Sequence, residues 1–153
     1  MRMELYNGQC WFSHCLVGLH YSYLVWSIGD TIEKNMIPLI AKKSVLKLDF
    51  SPEGKEELII YHTKICKQVN RFKKAFSNMD KEKAKKIIKK EGKYSALEAK
   101  YRINHLERLH QEQGKSIETH EIHMEFMDLL KQINVYTGEI GKTIHALGRL
   151  DQD

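Results

Sequence analysis

Two long amphipathic stretches joined by a short turn constrain the fold of this chain more than any other feature. From Lys93 to just beyond Ile140, apolar residues recur three to five positions apart, the spacing of helices with one buried stripe. Between the stretches, Gly114 suits a left-handed helix end, and Ser116 or Thr119 suits an N-cap. Such a short turn requires antiparallel packing. The stripes are Leu97, Tyr101, Leu106 and Leu109, then Ile122, Phe126, Leu129, Leu130, Ile133, Tyr136, Ile140 and Ile144.

A further helix is predicted upstream, from Val25 to Lys43. Its apolar residues again follow a helical spacing, so one face should be buried. Pro38 lies inside this pattern, where it removes the hydrogen bond to the carbonyl of Lys34 and should kink the helix. The predicted buried stripe consists of Ile28, Ile32, Met36, Leu39 and Ile40.

Local signals mark where two more helical segments begin. Ser51, Pro52 and Glu53 supply a cap, a preset dihedral angle and a first-turn acid for a helix that runs to about Phe76. After a tight turn, Asp80 caps the next helix, which continues into the stretch that begins at Lys93. The helix after Ser51 has a predicted buried seam of Leu58, His62, Ile65, Val69, Phe72 and Phe76, with His62 as a core histidine.

Composition agrees with one all-α domain. A chain of 153 residues can bury a core, and its two prolines leave room for long helices. We predict an antiparallel helical bundle of about four long helices. The bundle domain should occupy residues 25–147, with an atypical N-terminal segment at 1–24 and a frayed tail at 148–153. Three cysteines make no disulfide framework and no secretory signal is recognisable, which predicts a reducing, cytoplasmic setting.

The N-terminal segment is unusual because no Asp, Glu, Lys or Arg occurs from Tyr6 to Gly29. A membrane span needs about 20 predominantly apolar residues. This segment has the length, but polar side chains interrupt it, so we predict a helix that packs on the core or on another subunit. Four of its residues are of types that bind zinc, but their spacing fits no closed structural site, and we interpret them as packed side chains. They are Cys10, His14, Cys15 and His20.

Four sequence runs, in this order, resemble those of a known family. They are SIGDTIEKNMIPL (27–39), FSPEGKEELIIYHTKI (50–65), HLERL (105–109) and SIETHEIHMEFMDLLKQIN (116–134). Together they resemble the PhoU-like domain, in the version found at the C-terminal end of bacterial sodium/phosphate cotransporters. The resemblance covers roughly residues 26–147. The family builds two repeated three-helix bundles, so the resemblance implies the last helix of the first bundle and all of the second.

The metal motif of the resembling family is incomplete in this chain. In that family an acidic residue four positions before Asp30 completes an E-x-x-x-D pair, whose carboxylates face the same way and can bind a cation between helices. Trp26 stands at that position here, and Lys131 and Val135 stand at the matching places in the last helix. These departures argue against the multinuclear iron or zinc cluster of the family.

The resemblance implies a non-catalytic regulatory or interaction module of phosphate transport. It would dock through a helix face on a membrane phosphate transporter or a sensor-kinase component, in the cytoplasm or at the inner face of the membrane. The lone helix from the first bundle would leave an apolar face uncovered, so we predict that two or more chains associate. No catalytic motif, small-molecule substrate or required cofactor is indicated.

The alternative function is a helical bundle that binds iron or zinc. Carboxylates and imidazoles are ligands of these metals. The candidate ligands are Asp30, Glu98, His105 and His123, the last with His120 three positions before it. Glu91, Glu98 and His105 are spaced by seven and share a helix face, where they form either a polar layer inside the bundle or part of a metal or phosphate site. We favour the polar layer.

A basic segment gives a third, less favoured function. From Lys64 to Lys93 there are twelve Lys or Arg against three Asp or Glu, although the net charge of the chain is only +5. Such asymmetry suits nucleic acid, phosphate or lipid head groups. Aromatic residues are not interleaved with these lysines at positions predicted to be exposed, which weakens a nucleic-acid function. We interpret the segment as a solvated helix face.

Overall fold

Four helical rods make up the part of the chain that the structure describes. The computed structural model describes the backbone of residues 5–111 and 117–150 and the side chains of residues 18–110 and 119–147. The N-terminal rod joins α1 (Leu5–Asp30), a π-helical segment (Thr31–Met36) and α2 (Ile37–Val45). The other rods are α3 (Pro52–Phe76), α4 (Lys81–Gln111) and α5 (Ile117–Leu150). The predicted all-α bundle of about four long helices is confirmed.

Helices α3, α4 and α5 pack against one another, and the N-terminal rod lies along α5. At one end of the rod, Leu39 forms a small core with Ile122 and Leu129 of α5. Further towards the N-terminus, Leu24 and Ile28 join the main core of the bundle. Over residues 18–45, where its side chains are described, the rod therefore has one buried side, which packs on α5, and one exposed side.

A π-helical segment accommodates Pro38. Proline has no N–H group, and its ring would clash with the carbonyl of Lys34 in a regular α-helix. The N–H group of Ile37 instead bonds to the carbonyl of Ile32, five residues back. Thr31 and Leu39 are buried, whereas Ile32 and Ile40, each one position further on, are exposed. The predicted stripe was wrong at Ile32 and Ile40, because an apolar pattern alone does not show which edge of a helix face the neighbouring helix covers.

The buried face of α3 also differs from the predicted seam. His62 is exposed and lies beside Cys66, with 3.4 Å between His62 Nε2 and Cys66 Sγ. The prediction of a core histidine was therefore wrong. Polar residues occupy the inward face because the neighbouring helices satisfy them; Gln68 Nε2 donates to the carbonyl of Ile87 at 2.8 Å. The buried residues of α3 are Gly54, Glu57, Tyr61, Ile65, Gln68 and Ala75.

The predicted starts of α3 and α4 are confirmed. Ser51 Oγ accepts a hydrogen bond from the N–H group of Gly54 at 3.1 Å, and Asp80 Oδ1 accepts one from Lys83 at 2.9 Å. Thr119 is inside α5 rather than at its cap. Gly114 and Ser116, the other residues assigned to this turn, lie outside the described residues.

The predicted outer boundaries do not coincide with helix ends. Helix α1 continues without interruption through residues 24 and 25, and α5 continues to Leu150, into the tail predicted at 148–153. His20 is exposed, whereas the side chains of Cys10, His14 and Cys15 lie outside the described residues. Among the helices as described, none has both the length and the apolar character needed to cross a membrane.

Candidate functional site

A pocket of about 370 Å³ lies where the N-terminal ends of α3 and α5 meet the C-terminal part of α4. The connector before α3 forms one wall through residues 48–51, and Gly54 in the first turn of α3 adjoins it. Helix α4 supplies His105 and Arg108, and α5 supplies Thr119, His120 and His123. The pocket therefore combines a rigid wall of three helices with a short connector.

Local sequence signals position the α3 side of this pocket. Ser51 caps α3, and Pro52 occupies its first turn, so the start of the helix is fixed. Gly54 leaves the space that the His123 ring fills: a Cβ at this position would lie 3.4 Å from His123 Nε2. A Cβ at position 54 would lie 3.1 Å from Ser51 Oγ, which is a tight contact, and in ordinary van der Waals contact with the imidazole. Position 54 therefore lies directly against His123 of α5.

Three imidazoles stack against one another at the pocket. The His105 ring lies between the other two, with its centroid 4.7 Å from that of His120 and 4.2 Å from that of His123. The planes are almost parallel, at 9° and 10°. His105 Nε2 and His120 Nδ1 are 2.6 Å apart, which requires one of them to donate to the other. The packing brings together residues that are up to 18 positions apart in the sequence.

The hydrogen bonds of His123 identify its tautomer. His123 Nε2 lies 3.1 Å from the carbonyl oxygen of Gly54, so Nε2 carries the proton and donates. Nδ1 of a neutral ring is then an acceptor. His123 is only 1% exposed, and its Nδ1 has no hydrogen-bond partner. A residue that lines the pocket therefore has a buried acceptor without a donor.

Burial keeps the His105 and His123 imidazoles neutral. Burial, with smaller contributions from the neighbouring imidazoles and Arg108, lowers the pKa of His105 to about 4, although the charge of Glu57 opposes this effect. Burial also lowers the pKa of His123, and the hydrogen bond to Gly54 and the charge of Glu57 only partly oppose this effect. At neutral pH both rings are uncharged hydrogen-bonding groups.

Arg108 is held at the pocket by an ion pair with Glu57 of α3. Arg108 Nη2 lies 2.6 Å from Glu57 Oε2, and Asn104 Nδ2 donates to Glu57 Oε1 at 3.0 Å. Burial raises the pKa of Glu57, but the hydrogen bonds from Arg108 and Asn104 outweigh burial, so the net pKa lies below its usual range. Arg108 Nε is buried and has no partner.

The four candidate metal ligands do not form one site. His105 and His123 stack at the pocket, whereas Asp30 pairs with Lys34 on the N-terminal rod at 2.8 Å. Glu98 is buried between two cations, with Arg102 Nη2 at 2.6 Å and Lys131 Nζ at 3.0 Å. In the described ranges, no group of three or more His, Cys, Asp or Glu side chains is arranged to hold a metal ion.

Glu91, Glu98 and His105 instead belong to a polar layer between α4 and α5, as favoured above. Ser95 Oγ donates to Glu91 Oε1 at 2.9 Å, and Asn134 Nδ2 donates to the carbonyl of Glu91 at 3.0 Å. The Lys131 contact with Glu98 is an ion pair without hydrogen-bond alignment.

The sequence analysis did not identify three residues at or beside the pocket, Arg108, Glu57 and Gly54. The one signal for Arg108 was its place three residues after His105 on the same helix.

We expect stability to fall as the pH is lowered from about 6.5 towards about 4. The folded pKa of His105 and His123 is below that of the unfolded chain, so above pH 6.5 neither state is protonated and there is no penalty. Below pH 6.5, these histidines take up protons in the unfolded chain but not in the folded chain. Urea unfolding at several pH values measures the resulting decrease in the free energy of unfolding. In His105→Phe this free energy should decrease less steeply with falling pH, and an unchanged decrease would contradict the lowered pKa of His105.

Comparison with known proteins gave one relative and no family assignment. The chain is 25% identical over 125 residues to a Salmonella typhimurium protein named "Putative inorganic phosphate export protein YjbB". The match covers 82% of this chain but only 23% of the relative. No family model matches the chain, and no solved structure matches it. The chain is therefore similar to less than a quarter of a protein that is named for phosphate export.

Proposed function

We propose that this chain is a non-catalytic regulatory or interaction module linked to phosphate transport. The link is supported by the match to a protein named for inorganic phosphate export, together with the PhoU-like runs in the sequence. The proposed activity is docking through a helix face, at the cytoplasmic side of a membrane, on a phosphate transporter. A sensor-kinase component of the same system would be recognised by the same surface.

The uncovered side of the N-terminal rod is the observation that carries this proposal. We define the apolar stripe as Leu19, Tyr23, Trp26, Ile37 and Ile40, all exposed. Trp26 is 64% exposed and Ile37 is 56% exposed. The opposite side of the same rod is also apolar and is buried on α5, through Leu24, Ile28 and Leu39.

A helix that is apolar on all sides is normally covered on all sides. Scattered single apolar residues on a surface need no explanation, but several large exposed apolar residues along one rod mark an interaction surface. Asp30, Glu33 and Lys34 divide the apolar stripe between Trp26 and Ile37. Residues 18–29 carry no Asp, Glu, Lys or Arg, so no charged side chain in this part of the rod opposes burial. The apolar stripe is therefore suited to a partner helix or to a second copy of the chain.

Self-association through the apolar stripe is the form of docking that can be tested first. We expect light scattering to give a mass above that of one chain, and Trp26→Glu/Ile40→Glu to give a folded monomer, because a buried unpaired carboxylate opposes association. In the cells that make the chain, deletion should change the rate of labelled phosphate export or uptake. The wild-type chain should restore the rate, and the double variant should not.

Ile59→Glu/Ile103→Glu is the matched control. Both isoleucines are exposed, at 58% each, but they lie on α3 and α4 rather than on the rod. This control should keep the wild-type mass and the wild-type phosphate flux. A wild-type chain that is monomeric and folded at micromolar concentration would contradict self-association. Unchanged phosphate flux after deletion would contradict the link to phosphate transport.

A further inference from the structure

The pocket beside His105 and Arg108 contains hydrogen-bonding groups that the protein itself leaves unused. Arg108 Nε is a buried donor without a partner, and His123 Nδ1 is a buried acceptor without a partner. His105 Nδ1 is also buried and unpartnered. Most buried polar atoms in proteins are paired, so three unpaired nitrogens on residues that line one cavity point to a ligand that pairs them.

The donor side of the pocket suits an anion. The Arg108 guanidinium is always protonated, and two of its nitrogens are already fixed by Glu57, which leaves Nε for a ligand. The pocket lies at the N-terminal ends of α3 and α5, where the helix dipoles are positive, and the negative C-terminal end of α4 opposes them only in part. These ends favour a negatively charged ligand, but by themselves they would not select one anion over another.

The acceptor side of the pocket suits a ligand that carries a proton. His123 Nε2 is committed to the Gly54 carbonyl, so Nδ1 accepts only from a donor brought by the ligand. His123 is 1% exposed, so bulk water does not reach most of the ring. A fully deprotonated anion would place an oxygen lone pair against the nitrogen lone pair, and this contact would be repulsive.

The charged side chains at and beside the pocket have a small positive net charge. Asp49 lines the pocket, but Lys43 and Lys55 each lie 3.5 Å from its carboxylate. Glu57 is neutralised by Arg108. Counting these five side chains, three are cations and two are anions. The pocket therefore does not repel a singly or doubly charged small anion.

We propose that this pocket binds a small oxyanion that carries its own proton. One such anion is inorganic phosphate, and choosing it among protonated oxyanions rests on the proposed function. Phosphate oxygens accept from Arg108 Nε, and the P–OH group donates to His123 Nδ1. His105 Nδ1 completes the set as donor or acceptor, according to which of His105 and His120 donates in their mutual hydrogen bond. At neutral pH phosphate and arsenate retain a proton, and sulfate does not.

Titration calorimetry on the intact chain at pH 7 and constant ionic strength tests this proposal. The ligands are inorganic phosphate, arsenate, sulfate and zinc chloride, each titrated separately. We expect one phosphate or arsenate per chain, and sulfate binding at least about tenfold weaker, because sulfate cannot satisfy the buried acceptor. This comparison needs no variant, so it stands even if a substitution at the pocket prevents folding.

Matched variants connect the binding to the pocket. His123→Phe keeps a ring of similar size and should weaken phosphate binding at least about tenfold, whereas His145→Phe should not change it. His145 is a fair control because it is also on α5 with a buried, unpartnered Nδ1, but it does not line the pocket. Glu57→Gln/Arg108→Met, which leaves no unpaired charge, should likewise weaken binding, and Arg71→Met should not.

Three results would overturn the proposal. Equal affinity for phosphate and sulfate would show nonspecific attraction to the lysine-rich surface. Zinc binding that His123→Phe abolishes, without phosphate binding, would identify a metal site instead. Absence of any anion binding would leave the pocket without this role. Failure of the docking proposal is measured separately, by mass and phosphate flux, and His123→Phe should retain the wild-type mass.

Discussion

Replacing both cations around Glu98 by methionine is expected to lower the free energy of unfolding by about 3–5 kcal/mol, the effect of leaving a buried charge without its partner. The Glu98 side chain is 1% exposed, and Arg102 and Lys131 are its two ion-pair partners. Arg102 also contacts Asp128 of α5, so the network joins α4 to α5. In Arg102→Met/Lys131→Met the carboxylate would remain in the core without a cation.

A third substitution tests this explanation directly. Adding Glu98→Met to the double variant removes the unpaired charge and should recover most of the lost stability, since a buried ion pair is often replaceable by apolar residues. Lys142→Met is the matched control, because its pair with Glu139 is exposed and should contribute about 1 kcal/mol or less. Urea unfolding followed by circular dichroism measures all three. A triple variant as unstable as the double would show that the cations act through packing.

Replacing the two glycines that face α4 by larger residues is expected to cause the second large decrease in the free energy of unfolding. A Cβ at Gly138 would lie 2.5 Å from Glu91 Cγ, and a Cβ at Gly141 would lie 3.0 Å from Ile87 Cγ2 and 3.3 Å from the Ala84 carbonyl. Helices α4 and α5 therefore approach too closely for side chains at these positions. Gly138→Val/Gly141→Val should lower the free energy of unfolding by roughly 2–6 kcal/mol, since overpacking costs about 1–3 kcal/mol per substitution.

Gly92→Ala, in the same helix pair, is expected to increase stability rather than lower it. A Cβ at Gly92 of α4 would have no heavy atom within 4 Å, so the substitution meets no neighbour. It should raise the free energy of unfolding by about 0.5–1 kcal/mol, because alanine loses less backbone entropy in a helix. Thermal unfolding of both variants separates close approach from helix propensity. Equal stability of the double valine variant and the wild type would mean that the α4–α5 spacing is adjustable.

The helical architecture was predictable because its signals are local. Ser51 and Asp80 are caps that act within three residues, and the structure confirms both. The stripe of α5 was largely predicted because aliphatic residues such as Ile122, Ile133 and Ile140 face a wide core. Each of these inferences depends on a helix of constant period with its apolar side inward.

The incorrect positions depend on contacts between helices. Ile32 and Ile40 were predicted to face inward, but α5 covers the neighbouring positions Thr31 and Leu39 instead. His62 was placed in the α3 seam, but Glu57 and Gln68 face inward nearby because Arg108 and Ile87 supply their hydrogen bonds. Counting apolar residues cannot identify a polar residue whose partner lies on another helix.

The sequence by itself therefore determined the all-α architecture, the caps Ser51 and Asp80, and an N-terminal rod with too much apolar surface. It also named His105 and His123 as chemically interesting residues, but it combined them with Asp30 and Glu98 as metal ligands. Only the tertiary structure decided that Glu98 is neutralised by Arg102 and Lys131, and that the imidazoles meet Arg108 at a pocket. The physical reason is that helix formation depends on neighbours three and four residues apart, whereas pairing and pocket formation depend on which helix ends meet.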